Sequence, residues 1–317
     1  MRYSILLVLL AIASFHGHES HGQTPQLAIR YYRAGQEKMK NGDWVAAAED
    51  FTKAIAANAR LKSTTATTHN TEQFDESQSQ SNEISVSDAL TAHAYVNRGA
   101  ARFHQAKFAQ AFADYDRALR INPRLAQAYL GRGAALNAQG DRDGAGRDYN
   151  RALAIDERLS EAYNNRGALR YELGDLDGAM TDLDRAIALD GRLSEAYYHR
   201  GYVWLDKKNF TAGIADFNRT LELRPNDGLA LVGRGLCFMK QGTLDLAVRD
   251  FSAAIELDSG IAEAYAYRGV TLILVGRETE ALPDCKRFIE LKPEMKRELE
   301  ERVELAKTLK RSVTPLQ

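Results

Sequence analysis

Several features that would narrow the function are missing from this sequence. Its 317 residues hold only two cysteines, Cys237 and Cys285, so no disulfide framework ties the chain together. A bridge between those two would need Cα atoms within about 7 Å, which the sequence alone leaves open. Neither charge sign dominates: 42 Lys and Arg stand against 43 Asp and Glu, for a net charge of −1. The cationic excess of a protein that tracks a phosphate backbone is absent, so nucleic acid is not an expected partner. HExxH, GxSxG and a glycine-rich phosphate loop are absent too. His93 and His104 lie eleven residues apart, roughly 16 Å along a helix, too far to share a metal ion. His16, His18 and His21 crowd a segment expected to do nothing specific. No catalytic, metal or cofactor site is expected.

What is present is periodic. The stretch 160–193, SEAYNNRGALRYELGDLDGAMTDLDRAIALDGRL, reads as two amphipathic helices, A and B, around a turn at Gly174-Asp175. The pattern returns every thirty-four residues, and such a period fixes the architecture. Numbering a unit from 1 at Ser160, position 8 is Gly35, Gly99, Gly133, Gly167, Gly201, Gly235 and Gly269. Position 23 is Asp50, Asp114, Asp148, Asp182, Asp216, Asp250 and Asp284. Position 20 is small, Ala or Gly213, while position 24 is large: Phe51, Tyr115, Tyr149, Leu183, Phe217 and Phe251, then Cys285. Small residues facing large ones let two helices interlock at close packing. Cys285, in that large column, is expected as a buried free thiol.

These columns resemble the tetratricopeptide repeat family over residues 28–61 and 92–295. The resemblance implies an all-α, right-handed α-solenoid of about seven helix-turn-helix repeats, with 294–311 as a C-terminal capping helix. The family's proline after helix B survives as Pro123, Pro225 and Pro293, and Thr220 and Phe288 replace the usual small residue at position 27. The repeats are expected at 28–61, 92–125, 126–159, 160–193, 194–227, 228–261 and 262–295. Ala106 and Lys208 replace the turn glycine found elsewhere, at a modest cost if the backbone there needs φ > 0.

Two segments fall outside the repeat. Arg2 followed by the apolar run 4–15, SILLVLLAIASF, is shorter than the roughly 20 residues that cross a bilayer and suits a secretory signal peptide. Residues 1–22 are therefore expected as a signal and flexible leader, cut after Ala11-Ile12-Ala13 or nearer 17–22, with an uncleaved anchor as the competing reading. The mature chain is expected in the periplasm, at the cell surface or secreted, with no stable membrane insertion. Residues 62–91 are rich in Ser, Thr, Gln and Asn, hold little apolar surface to order them, and are expected to loop out, disordered over 62–86. Asp88 is expected to cap the helix that follows.

Two periodic features compete for function. Arg98, Arg132, Arg166, Arg200, Arg234 and Arg268 all occupy position 7, and repeat one has Ala34 there. They keep step with the Asp column, which favours structural ion pairs over an anion-binding ladder. The other feature is the groove. The resemblance implies that positions 2, 5, 9 and 12 of helix A face a concave surface. Those positions offer Phe103, then Glu161, Asn164, Tyr171, Glu195, Tyr198, Tyr202 and Leu205, and an apolar far end at Leu229, Val232, Leu236, Met239, Ala266, Val270 and Ile273. Lys and Arg are absent from these columns, which disfavours capture of a C-terminal carboxylate. Aromatic faces beside carboxylates suit an apolar segment carrying a Lys or Arg. The expected function is a non-enzymatic scaffold that binds a protein or peptide segment in this groove, with no cofactor. The competing readings are a structural subunit of an envelope assembly, contacting through the convex face or the 62–86 loop, and an accessory subunit of an enzyme on another chain. The groove stripe can also pack helix A against its neighbours, or be covered by a terminus or a second copy.

Overall fold

The computed structural model describes residues 23–69 and 84–313, with side chains over 26–60 and 84–310. The expected signal at 1–22 and the centre of the insertion, 70–83, lie outside the described residues. Among the described residues are fifteen α-helices, one 3₁₀ turn and no strand. The helices are α1 (Gln23–Lys40), α2 (Trp44–His69), α3 (Val86–His104), α4 (Phe108–Ile121), α5 (Ala126–Ala138), α6 (Arg142–Ile155), α7 (Ser160–Glu172) and α8 (Leu176–Leu189). They continue as α9 (Ser194–Asp206), α10 (Phe210–Leu223), α11 (Gly228–Gln241), α12 (Leu244–Leu257), α13 (Ala262–Leu274), α14 (Glu278–Leu291) and α15 (Lys296–Val313). The architecture is an all-α solenoid of hairpin repeats. It divides into two compact units between Ala162 and Tyr163.

Each hairpin is set by the chemistry of its turn. Helix A ends on a residue with positive φ: Gly42, Gly140, Gly174, Gly242 and Gly276 at 75–87°, Ala106 at 56° and Lys208 at 61°. The next N–H reaches back five residues, as from Asp175 to the Arg170 carbonyl at 2.9 Å, closing helix A with a Schellman bond. Helix B then opens on a capping side chain. Asp43, Asp141, Asp175 and Asn209 accept from the N–H three residues on, at 2.8–3.2 Å. Inside the hairpin, the Gly column makes room for the large residue at position 24. A Cβ on Gly167 would sit 2.9 Å from Leu183 Cγ, and one on Gly35 2.8 Å from the Phe51 ring.

In the first unit, α1 to α6 pack in sequence, each against the next. Repeat one docks on repeat two through Asn58, whose Nδ2 donates to the Ser87 carbonyl and to Thr91 Oγ1, both at 2.6 Å, while Ser87 Oγ donates to Asn58 Oδ1 at 3.1 Å. Two expectations about the insertion are corrected. Helix α2 does not stop at residue 61 but runs on to His69. No Gly or Pro interrupts 61–83, and extending an existing helix adds one hydrogen bond per residue fixed, even in a polar stretch. The cap of α3 is Ser85, not Asp88. Asp88 N–H donates to Ser85 Oγ at 3.0 Å, and Ser85 Oγ donates to Asp88 Oδ2 at 2.7 Å, a capping box that begins three residues earlier.

In the second unit, α8 to α14 pack in sequence, and α15 lies along α13. Leu299, 2% exposed, joins Ala266, Phe288 and Val270. Ala306, also 2% exposed, joins Leu272, Ile273 and Ala281. Among the described residues, no helix is long and apolar enough to cross a membrane.

Candidate functional site

The position-7 arginines lie inside the hairpins. In every one of the six, Nε and Nη2 donate to the two carboxylate oxygens of the position-23 Asp sixteen residues on, at 2.6–2.9 Å. This is the bidentate fork that matches guanidinium to carboxylate. The third donor, Nη1, crosses to helix B of the preceding repeat: Arg98 to Thr52, Arg132 to Asp116, Arg200 to Asp184, Arg234 to Asn218 and Arg268 to Ser252, at 2.7–3.1 Å. The acceptors all occupy position 25, a column that sequence reasoning passed over although each is polar. The guanidinium planes also lie over the position-4 rings, Arg98 on Tyr95 at 5.2 Å and Arg200 on Tyr197 at 5.6 Å. One arginine therefore staples three helices, and its donors are spent on structure. Repeat one, with Ala34 at position 7, uses Lys38 instead, 2.6 Å from Asp50.

The predicted groove residues separate by unit. In the first unit, Phe103 is half-buried, packs with Ala111, Tyr115 and Ala135, and makes an edge contact with Phe108 at 5.2 Å. Glu161, in the first turn of α7, is exposed and accepts from Ser160 Oγ at 3.2 Å. Asn137, at position 12 of α5, has a buried carbonyl oxygen with no hydrogen-bond partner.

In the second unit, α7 carries Asn164 and Tyr171 on one face, two turns apart. Asn164 is 6% exposed. Its Nδ2 donates to Asn165 Oδ1 at 3.1 Å, while its own Oδ1 is buried with no partner. The Tyr171 hydroxyl donates to Asp206 Oδ2 at 2.8 Å, and burial followed by that bond raises the Tyr171 pKa. On α9, Tyr198 and Tyr202 meet edge to face at 5.1 Å, and both edge onto Phe217, at 6.1 and 5.2 Å. Leu205 joins them around Cys237 and Ala230. Burial raises the pKa of both tyrosines. Tyr198 and Tyr202 are thus half in the core, and so serve packing as well as the groove.

Glu195 is exposed but already matched, 2.9 Å from Arg224 Nη1. That exposed pair competes with its expected role as a charge partner: position 31 of its own repeat is Arg224, where the two preceding repeats have Asp190 and Asp156. Asp206 is the carboxylate that Tyr171 meets. It lies one residue beyond the groove column, and its signal was the tyrosine thirty-five residues earlier. At the far end, Val232 and Leu236 are 3% and 9% exposed, leaving Leu229 open at 51%. Ala266, Val270 and Ile273 lie under α15, because the last repeat has no further hairpin to cover them.

Both cysteines are free. Burial pushes the Cys237 thiol up to about 12. Cys237 is the buried one, and Cys285 is only half-buried.

Several solved structures share this fold. The chain is similar to the Cut9–Hcn1 hetero-tetramer of APC/C (TM-score 0.63, 14% identity, covering 87% of this chain and 58% of that one). It is similar to PilF of Pseudomonas aeruginosa (TM-score 0.59, 19% identity, 72% and 99% covered). A tetratricopeptide repeat protein of Parabacteroides merdae gives 0.57 at 19% identity, with 89% and 99% covered. At these identities the likeness shows the fold. No curated protein matches the chain. Sequence models described as tetratricopeptide repeat match residues 164–228, 200–260 and 232–295, and a further one matches 92–125, together just over half of the sequence. With the thirty-four-residue period and the hairpins in hand, the chain belongs to the tetratricopeptide repeat family.

Proposed function

We propose that the protein is an exported interaction scaffold that binds an extended protein segment along the inner face of its A helices. The observation that carries this reading is Asn164. A carbonyl oxygen buried without a partner costs about 1–3 kcal/mol, and such a group in a native protein calls for an explanation. With the Asn164 side chain turned toward the groove, a backbone N–H of a bound segment would satisfy it. Asn137 in the first unit offers the same unmet acceptor. Two turns on along α7, Tyr171 meets the carboxylate of Asp206, and with the partly exposed ring of Tyr198 on α9 this suits an apolar segment with a Lys or Arg. Export rests on the basic-then-apolar layout of residues 2–15.

The test is selection from a displayed random-peptide library, followed by calorimetry of the selected peptides on wild type and Asn164→Ala. Alanine removes the unmet oxygen, so the variant is expected to be at least as stable as wild type. Loss of one hydrogen bond should weaken binding about tenfold. Peptides that bind both forms equally, or a library that yields no binder, would sink the proposal. Tyr198→Ala with Tyr202→Ala is a poorer probe, because both rings pack on Phe217.

A further inference from the structure

Six exposed arginines line the B helices of the first unit and the turns after them, and among the described residues only two of the six are held in an ion pair. On α4 and the turn after it, Arg117, Arg120 and Arg124 recur at i, i+3 and i+7, and all three are exposed. On α6 and its following turn, Arg147, Arg151 and Arg158 recur at i, i+4 and i+11, again all exposed. Positions 22, 26 and 29 of the repeat share one stripe of helix B, about a quarter-turn from the buried Asp column and across from the aromatic column, and position 33 lies in the turn that follows.

Arg117 reaches Asp114 only at 3.5 Å, and Arg120 holds Asp116 at 2.9 Å. Among the described residues, no ion pair engages Arg124, Arg147, Arg151 or Arg158, although Asp143, Asp156 and Glu157 lie close in sequence. Arg147 and Arg151 stack like charges one helical turn apart, an arrangement that weakens a helix. The same column in the second unit is mixed: Arg185, exposed and with Ala188 at position 29, repeats the first unit's arrangement, and the other two arginines are paired. Arg219 pairs with Glu222 at 2.8 Å and Arg287 with Glu290 at 3.1 Å. In the first unit, position 29 holds Arg120 or Ala154 instead of that glutamate, so the charge is left on the surface.

We infer that this outer face docks on the phosphate headgroups of an anionic lipid surface. Six exposed guanidinium groups in two rows on successive B helices form a fork-shaped donor set suited to phosphate oxygens. Separate headgroups can meet each arginine independently, without a groove. An acidic peptide is the competing occupant that an arginine cluster would also take, and the polyglutamate arm of the test separates it. A nucleic acid would want free stacking platforms for its bases, but Tyr115 and Tyr149 are buried and Tyr95 lies beneath Arg98 and Arg117. Basic residues at an anionic bilayer each strengthen binding about fivefold, and the effect fades beyond a Debye length.

The test is sedimentation of the full-length protein with vesicles of equal parts phosphatidylglycerol and phosphatidylcholine, against phosphatidylcholine alone. Wild type should be captured by the mixed vesicles only, and released as salt rises. Arg124→Gln/Arg147→Gln/Arg151→Gln should lose about 100-fold in affinity. Lys240→Gln/Arg249→Gln/Lys286→Gln, which removes the same charge from exposed sites in the second unit, should bind as wild type. Because every substituted side chain is exposed, circular dichroism should show all three proteins equally folded. Equal capture by neutral vesicles would assign binding to the apolar run at 4–15 and overturn the inference. So would unchanged affinity in the first triple variant, or capture of an oligonucleotide or polyglutamate in place of the anionic vesicles.

Discussion

Replacing Arg200 by Met tests whether the arginine column is structural, and the size of the effect follows from who else serves each aspartate. Arg200 gives Nε and Nη2 to Asp216 at 2.8 Å each, and Nη1 to Asp184 at 2.7 Å. Asp216 is 5% exposed, and among the described residues Arg200 is the one cation paired with it. Methionine keeps the aliphatic stem but strands a buried carboxylate. Breaking a buried pair this way costs about 3–5 kcal/mol. The Arg200 side chain is 21% exposed, which puts the expected loss near the low end, about 3 kcal/mol. Arg166→Met is the control. Its partner Asp182 keeps a second cation, Arg170 Nη1 at 2.8 Å, so about 1–2 kcal/mol is expected. The double variant Arg200→Met/Asp216→Leu should recover most of the loss, since an apolar pair can replace a buried ion pair at little cost. A stranded buried Asp216 would have a raised pKa. The folded single variant would then bind a proton that the unfolded chain releases, and it should regain stability as pH falls. The assay is guanidinium unfolding read by tryptophan fluorescence. The chain has two tryptophans, Trp44 and Trp204, one in each unit, so a Trp44→Phe background reports the second unit alone. Equal midpoints for wild type and Arg200→Met, or equal losses for Arg200→Met and Arg166→Met, would refute the reasoning.

The turns and the C-terminal helix give further tests. Ala106→Gly and Lys208→Gly should each raise stability by about 0.5–1 kcal/mol in thermal melts, because both residues hold a positive φ that glycine adopts without a Cβ clash. Burial lowers the His199 pKa to about 4. The unfolded chain therefore takes up a proton near 6.5 that the folded chain refuses, and stability should drop as pH falls from about 6.5 to 4; His199→Gln should lose less over that window in urea titrations at pH 7 and 4.5. Leu299→Ala should cost about 2–4 kcal/mol and loosen α15 from α13, seen as faster amide exchange in α15 than in α9.

The period made the hairpins legible, because each column is a packing or capping requirement that repeats at the same place. Gly167 against Leu183 and Arg166 against Asp182 could be paired on paper for that reason: both partners recur in step. Position 25 did not stand out because its first six members, Thr52, Asp116, Asn150, Asp184, Asn218 and Ser252, share no side chain, only the ability to accept a hydrogen bond, and the seventh is Lys286. What was least legible is what does not repeat. Ser85 caps α3 where the repeat has been interrupted, and Glu195 meets Arg224 where one repeat has exchanged an acidic residue for a basic one. The groove belongs to this second kind. Its scaffold is written into every unit, but its recognition chemistry rests on residues that break the pattern: Asn164 where other repeats place Val, Leu, Tyr or Ala, and Tyr171 where they place Met, Phe, Leu, Ile or Asn. A repeat protein tells its fold through what recurs. What it binds has to be sought where a column is broken and the broken residue, like Asn164, is left with an unmet bond.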